Sequence, residues 1–272
     1  MEQQKVCFIG AGNMTRSIIS GLISNGYPST LIHATNPSQA KLDALNSDFG
    51  VAVSHDNLTA AQDADIIILS VKPQLMQQVC ESMQAIDFSQ KLLITIAAGI
   101  PASRYKDYFK QDINIIRTMP NTPMQIGVGM TGLFAPDNIN DAQKAMCEYL
   151  MASCGEVVWV EKEDGLNQVI ALAGSSPAYF FLFMEAMMQA GKELGMDDDK
   201  ARLLVQQAAL GAAQMMKHNP SLGPEELRLN VTSKGGTTAQ AIDTFEKGDL
   251  RGLVKSAMVN CIARAEEMAK SF

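Results

Sequence analysis

Val6-Cys7-Phe8-Ile9-Gly10-Ala11-Gly12-Asn13-Met14-Thr15-Arg16-Ser17-Ile18-Ile19 decides how the rest of this chain is read. Four apolar residues in succession suit a strand covered on both faces. They run into two glycines one residue apart, then into Ile18, Ile19, Leu22 and Ile23 at helical spacing. Strand, glycine turn and helix in this order open a dinucleotide-binding βαβ unit. Gly10 allows the tight turn and Gly12 lets the backbone approach a pyrophosphate. The amides from Asn13 and Met14 onward, at the helix start, would hold its charge. Thr15 stands at the third position of the fingerprint, where Gly or Ala is usual. A purely structural glycine turn is the alternative; the motif's place directly behind an N-terminal strand favours the nucleotide.

A chain of 272 residues is long enough for two modest domains, and its 47% hydrophobic content is ordinary for a globular protein. The net charge of -7, from 22 basic and 29 acidic residues, argues against a general nucleic-acid binder. Five cysteines, Cys7, Cys80, Cys147, Cys154 and Cys261, show neither metal nor redox spacing and fit a reducing compartment. Met1–Lys5 is too polar and short for a signal peptide, and no apolar run is expected to span a membrane. A cytoplasmic protein with no membrane partner is the expectation.

Leu31–Ala34 reads as a second strand, ending in Thr35-Asn36-Pro37-Ser38. An NAD enzyme usually places an acid here for the ribose hydroxyls, and a carboxylate would repel a ribose phosphate. The neutral Thr35, Asn36 and Ser38, with Lys41 a turn further on, favour NADPH over NADH; an ordinary loop is the alternative. A short helix over Ser38–Leu45 and a strand near Val51–Val53 follow. Asp65–Val71 is another buried strand, and it delivers Val71 and Lys72 to the carboxyl edge where open α/β sheets bind ligands. Lys72 could equally be a surface lysine. Leu92–Ala97 ends in Ala98-Gly99, small enough for a ring or ribose to approach. Ile113–Arg117 leads into a stiff loop, Thr118-Met119-Pro120-Asn121-Thr122-Pro123, placed to border a nicotinamide. Strands at Met130–Phe134 and Val157–Val160, with a helix over Ala142–Ser153 between them, complete a domain of residues 1–162.

From 163 to 272 only helices are expected. Tyr179–Ala190 and Ala201–Met216 are apolar on several faces, more than a domain of this size can hide by itself. A second copy of the chain supplying the missing cover, in a two-fold homodimer, is the economical answer. Ser233-Lys234-Gly235-Gly236-Thr237-Thr238-Ala239 precedes a helix over Gln240–Phe245 and groups backbone amides suited to an anion such as a substrate carboxylate. A capped helix behind a glycine loop is the plain alternative. Gly174-Ser175-Ser176-Pro177 reads as a similar helix start, with a serine cap and Pro177 at the first position, which adds Ser175 to the substrate candidates. His33, His55 and His218 are scattered, with no nucleophile–base pair and no metal site in view; hydride transfer tolerates this, because the cofactor carries the chemistry. A different imine or β-hydroxyacid dehydrogenase is one rival, but the general base of the latter would be a lysine early in the helical domain, and Lys192 lies beyond Gly191 without supporting polar residues; a non-catalytic nucleotide sensor is the other rival.

Five segments together resemble the pyrroline-5-carboxylate reductase family: Ile9–Met14, Val71-Lys72-Pro73, Met119–Pro123, Gly174–Tyr179 and Ser233-x-Gly235-Gly236-Thr237-Thr238. The resemblance implies an α/β fold: a Rossmann-like N-terminal domain with an all-helical, interlocking C-terminal dimerisation domain, often in rings of dimers. It implies reduction of 1-pyrroline-5-carboxylate to L-proline with NAD(P)H. By the same resemblance, Asn57 and Lys72 lie near the cofactor ribose, with Ala98 and Asn121 close by. Ser233, Gly235, Gly236 and Thr237 would hold the substrate carboxylate, and Thr238 would hydrogen-bond the ring nitrogen. Lys234 departs from the family's usual Pro, and Leu229 from a frequent Asp.

Overall fold

The computed structural model describes residues 3–270. Eight strands form one sheet in the order β3-β2-β1-β4-β5-β6-β7-β8. They are β1 (Val6–Ile9), β2 (Ile32–Thr35), β3 (Ala52–Ser54), β4 (Ile66–Leu69), β5 (Leu92–Thr95), β6 (Asn114–Met119), β7 (Gly129–Phe134) and β8 (Gly155–Trp159). All neighbours pair in parallel except β6 and β7. Alternate residues of the central strands feed two separate cores. Val6, Phe8, Ile66 and Ile68 point into one, Cys7, Ile9, Ile67 and Leu69 into the other, which is why those strands read as unbroken apolar runs. Cys7 is plain core filling: burial pushes its thiol up to about 12.

Helices α1 (Asn13–Ser24), α2 (Gln39–Phe49), α3 (Asn57–Asp63), α4 (Pro73–Glu81), α5 (Ala102–Phe109) and α6 (Asp141–Ala152) cover the sheet. Helix α3 lies in a stretch to which the sequence reading gave no helix. Its start is nevertheless built from a standard signal: the Asp56 carboxylate accepts from the Leu58 and Thr59 amides. Strand β6 runs two residues further than expected, so Thr118 and Met119 belong to the sheet, and a 3-10 turn at Thr122–Ile126 follows in place of an irregular loop.

Helix α7 (Gly165–Val169), a π turn (Ile170–Gly174), α8 (Ser176–Glu193), α9 (Asp198–His218), α10 (Pro224–Asn230), α11 (Thr237–Lys247) and α12 (Leu250–Ala269) make up the rest. Contacts divide the chain into two compact units, residues up to Ser175 together with those from Cys261 onward, and Ser176–Asn260. The first unit thus reaches past the 162/163 boundary that composition suggested. The reason is packing. Glu163 Oε1 accepts from Arg117 Nη1 at 2.7 Å and from the Ala102 amide at 2.6 Å. Val169 fills the space where Gly132 of β7 has no side chain.

The second unit has almost no interior. On α8 only Ser176 is buried, and on α10 and α11 nothing is. Phe180, Phe181 and Leu182 are 64%, 64% and 66% exposed. The helical run Gly165–Glu193 is long and apolar enough, by length and composition, to cross a membrane, contrary to the expectation that no segment would reach that length.

Candidate dinucleotide and substrate sites

Strand order reverses between β1 and β4, the switch point at which open α/β sheets bind ligands. Gly10 and Gly12 follow β1 there, and Ser70, Val71 and Lys72 follow β4. The two glycines do different work. Gly10 has φ +110, and a Cβ on it would meet the Ser70 carbonyl oxygen at 2.7 Å and Val71 Cγ1 at 3.2 Å. Gly12 has φ -82, and a Cβ there would meet nothing within 4 Å. Gly10 is therefore required by the fold, whereas the absent side chain of Gly12 leaves open space above the start of α1.

That helix start has no side-chain cap and no acid in its first turn, so the amides of Asn13 and Met14 are left to an anion. Thr15 is fully buried and donates its hydroxyl to the Gly10 carbonyl at 2.7 Å. The departure at the third fingerprint position thus closes the turn from inside.

Asn36 Oδ1 accepts from the Ala11 amide at 3.2 Å, joining the end of β2 to the glycine turn. Thr35 donates its hydroxyl to Asn57 Oδ1 at 2.6 Å. Asn36 and Asn57 are thereby gathered around the glycine turn with no carboxylate at the end of β2. Lys72 is exposed at the cap position of α4, ahead of Pro73. Ala98 stands half-buried beside Gly99, whose φ is +81. A cradle that lacks a Cβ, an uncapped helix start and neutral hydrogen-bonding side chains at the second strand fit a dinucleotide carrying a 2′-phosphate.

Asn121 stands apart from that group. It is buried, with Nδ2 donating to the Ala173 carbonyl at 3.0 Å and Oδ1 accepting from the Met130 amide at 2.9 Å. Both ends of the amide are engaged inside the protein. Met119 packs against the π turn at Gly174, where an added Cβ would meet its Cε at 3.2 Å. Ser175 is in helical conformation, and its amide donates to the Ile170 carbonyl at 2.8 Å, a five-residue π spacing. Ser175 therefore ends a π turn and does not cap a new helix. Its hydroxyl takes the Cys261 thiol as a neighbour at 3.6 Å.

In the helical unit, Ser233–Gly236 forms a turn closed by the Gly236 amide on the Ser233 carbonyl at 3.0 Å. Gly235 has φ +75 at its third position, and Lys234 holds the second, where Pro is favoured when the third is glycine of this kind. Helix α11 begins at Thr237, three residues earlier than expected, with Gly236 as its cap residue and no side-chain cap bond. Thr237 and Thr238 are thus its first two residues, and both are exposed. Lys192, the candidate base of a hydroxyacid dehydrogenase, is exposed and paired with Asp198 at 2.9 Å.

A model of the pyrroline-5-carboxylate reductase dimerisation family matches residues 163–268, and one of coenzyme F420-dependent NADP oxidoreductases matches residues 5–99. A pyrroline-5-carboxylate reductase of Vibrio alginolyticus is 55% identical over 272 residues, covering 100% of both chains. The chain belongs to the pyrroline-5-carboxylate reductase family. Among solved members, the reductase of Coxiella burnetii has a TM-score of 0.93 at 40% identity, over 98% of this chain and 99% of that one. A Plasmodium falciparum pyrroline carboxylate reductase, solved with NADP bound, has a TM-score of 0.87 at 26% identity, over 99% of each chain.

Sequence reading had no means of finding the partners of two residues. Arg117 and Glu163 lie 46 positions apart, and Asn121 and Ala173 lie 52 apart; neither pair carries a local pattern.

Proposed function

We propose that this chain reduces 1-pyrroline-5-carboxylate to L-proline, the last step of proline biosynthesis, using NADPH, with NADH as the weaker alternative. The open, uncapped start of α1 above Gly12, facing a β2 end without an acid, carries this reading on a chain of this family. Gly10, Gly12, Asn13 and Met14 bind the pyrophosphate, and Asn36, Asn57, Val71, Lys72, Ala98 and Asn121 line or support the ribose and nicotinamide side. When bound, the nicotinamide supplies hydride from its C4 to the C=N carbon of the pyrroline. Ser233, Gly235, Gly236 and Thr237 hold the substrate carboxylate at the uncapped start of α11, with the Gly236 amide closing the turn that shapes this cradle, and Ser175 is a further substrate candidate. Thr238 hydrogen-bonds the ring nitrogen and orients its proton, which makes the adjacent carbon more electrophilic. Fixing the carboxylate and the nitrogen together holds the acceptor carbon in place, and most of the rate gain comes from that alignment.

By function we assign dinucleotide binding to residues 1–162 and substrate binding and dimerisation to residues 163–272, a division that the two compact units do not follow. The exposed apolar faces of α8 and α9 pair with a second copy, and such dimers close into rings. Five free cysteines support a reducing compartment, and the cytoplasm is the location we propose.

The test is consumption of NADPH or NADH, followed by its near-ultraviolet absorbance, with racemic 1-pyrroline-5-carboxylate and purified protein. Loss of signal with formation of proline is expected, faster with NADPH. Binding of NADPH without turnover would keep the dinucleotide site and remove the substrate.

A further inference from the structure

His55, one residue beyond β3, sits between two oxygen atoms. Its Nδ1 is 2.7 Å from the backbone carbonyl of Asn36, and its Nε2 is 2.8 Å from Gln39 Oε1. The orientation of the Gln39 amide is set independently, because its Nε2 donates to the Asp43 carboxylate at 2.7 Å. The oxygen is therefore the end that faces the ring. A carbonyl oxygen only accepts, so both bonds are satisfied only when both ring nitrogens carry protons. This ring is bonded to the very residue, Asn36, whose side chain takes the Ala11 amide of the glycine turn.

We propose that His55 is a held cation at the rim of the dinucleotide site and selects the phosphorylated cofactor. A 2′-phosphate beside Asn36 gains its charge; a bare 2′-hydroxyl does not. This rests on the NAD(P)H reading above and adds to it the residue that decides between the two cofactors. The charged groups on the two neighbouring elements are few. On α2 they are Lys41, Asp43, reached through Gln39, and Asp48, which is paired with Arg16. On the β3–α3 side they are Asp56, whose carboxylate is already engaged by Thr59 and Leu58, and Asp63, which is paired with Lys5. None of these supplies His55 with a direct ion pair, so the charge of the ring is left for a ligand.

The chain has three histidines, so their ring signals are separable by NMR, with H55Q assigning the one in question. The full-length protein is titrated from about pH 6.5 to about pH 8.5, alone and with saturating NADP+ or NAD+. The range starts above the second ionisation of a phosphate monoester, near pH ~6. NADP+ is expected to hold the His55 proton to higher pH, and NAD+ to leave its titration unmoved. By calorimetry at the lower end of the range, H55Q should bind NADP+ about tenfold more weakly and NAD+ as the parent does. Tight NADP+ binding that leaves the His55 signal unmoved and is equal in H55Q overturns the role of His55 and leaves the NADPH reading standing. Failure of the parent to bind NADP+ at all overturns both.

Discussion

The side-chain amide of Asn121 donates to the backbone carbonyl of Ala173, 3.0 Å away. In a regular helix that carbonyl would accept from the amide four residues on, but position 177 is proline and has no N–H to give. Asn121 supplies the missing donor from the end of β6, and with its other end it holds the Met130 amide of β7. One buried side chain thus ties the two antiparallel strands to the π turn.

Asn121→Ala should therefore leave the partly buried Ala173 carbonyl and Met130 amide without their partner, at a cost of about 1–3 kcal/mol. The urea midpoint should fall with an unchanged slope. A variant as stable as the parent would mean that water or a neighbour replaces both bonds.

Gly10 and Gly12 should respond oppositely to the same added methyl group. Gly10→Ala meets the Ser70 carbonyl and a positive φ, and should lower stability by about 1–3 kcal/mol. Gly12→Ala meets nothing, so its thermal midpoint should match the parent while NADPH affinity drops by about tenfold or more. Thermal melts and calorimetry on the two purified variants read both effects.

Thr238→Ala should cut kcat by about 10-fold to 100-fold and leave the NADPH dissociation constant near that of the parent. Steady-state kinetics beside direct cofactor binding separate the two. Unchanged kinetics would take Thr238 out of the reaction.

Burial holds His33 below its ordinary pKa, against an opposing pull from Asp63. The unfolded chain therefore binds a proton more readily than the folded one, and stability rises with pH between the folded and unfolded midpoints. The contribution of His33 is complete above about pH 6.5 and is lost as pH falls through the unfolded and then the folded value. The urea midpoint of the parent should drop more than that of His33→Gln between about pH 7.5 and about pH 5.5. Parallel drops would show that other groups carry the whole pH dependence.

The dinucleotide half was legible because each of its signals is local. An apolar run in β1 or β4 must be covered on both faces, and a glycine pair behind it leaves few other readings. Thr15 departs from the fingerprint because a motif written as residue types cannot express the bond its hydroxyl makes backward to Gly10 within the turn. Ser175 misled for a related reason. Small residues before a proline usually start a helix, but here the preceding residues were already helical, and the donor that permits this comes from Asn121, far away in the chain. Nothing in the sequence separates His55 from the other two scattered histidines, since its role depends on which way Gln39 points.

The bare faces of α8 and α9 make the two halves of this protein answer to different laws. The sheet unit closes its own cores, so its stability is a property of one molecule. The helical unit has left its interior to be completed by another copy, so its stability is a property of the solution. Diluting the protein should lower the melting point of the helical unit by mass action, and a cell making little of the chain would hold it in a weaker form than one making much.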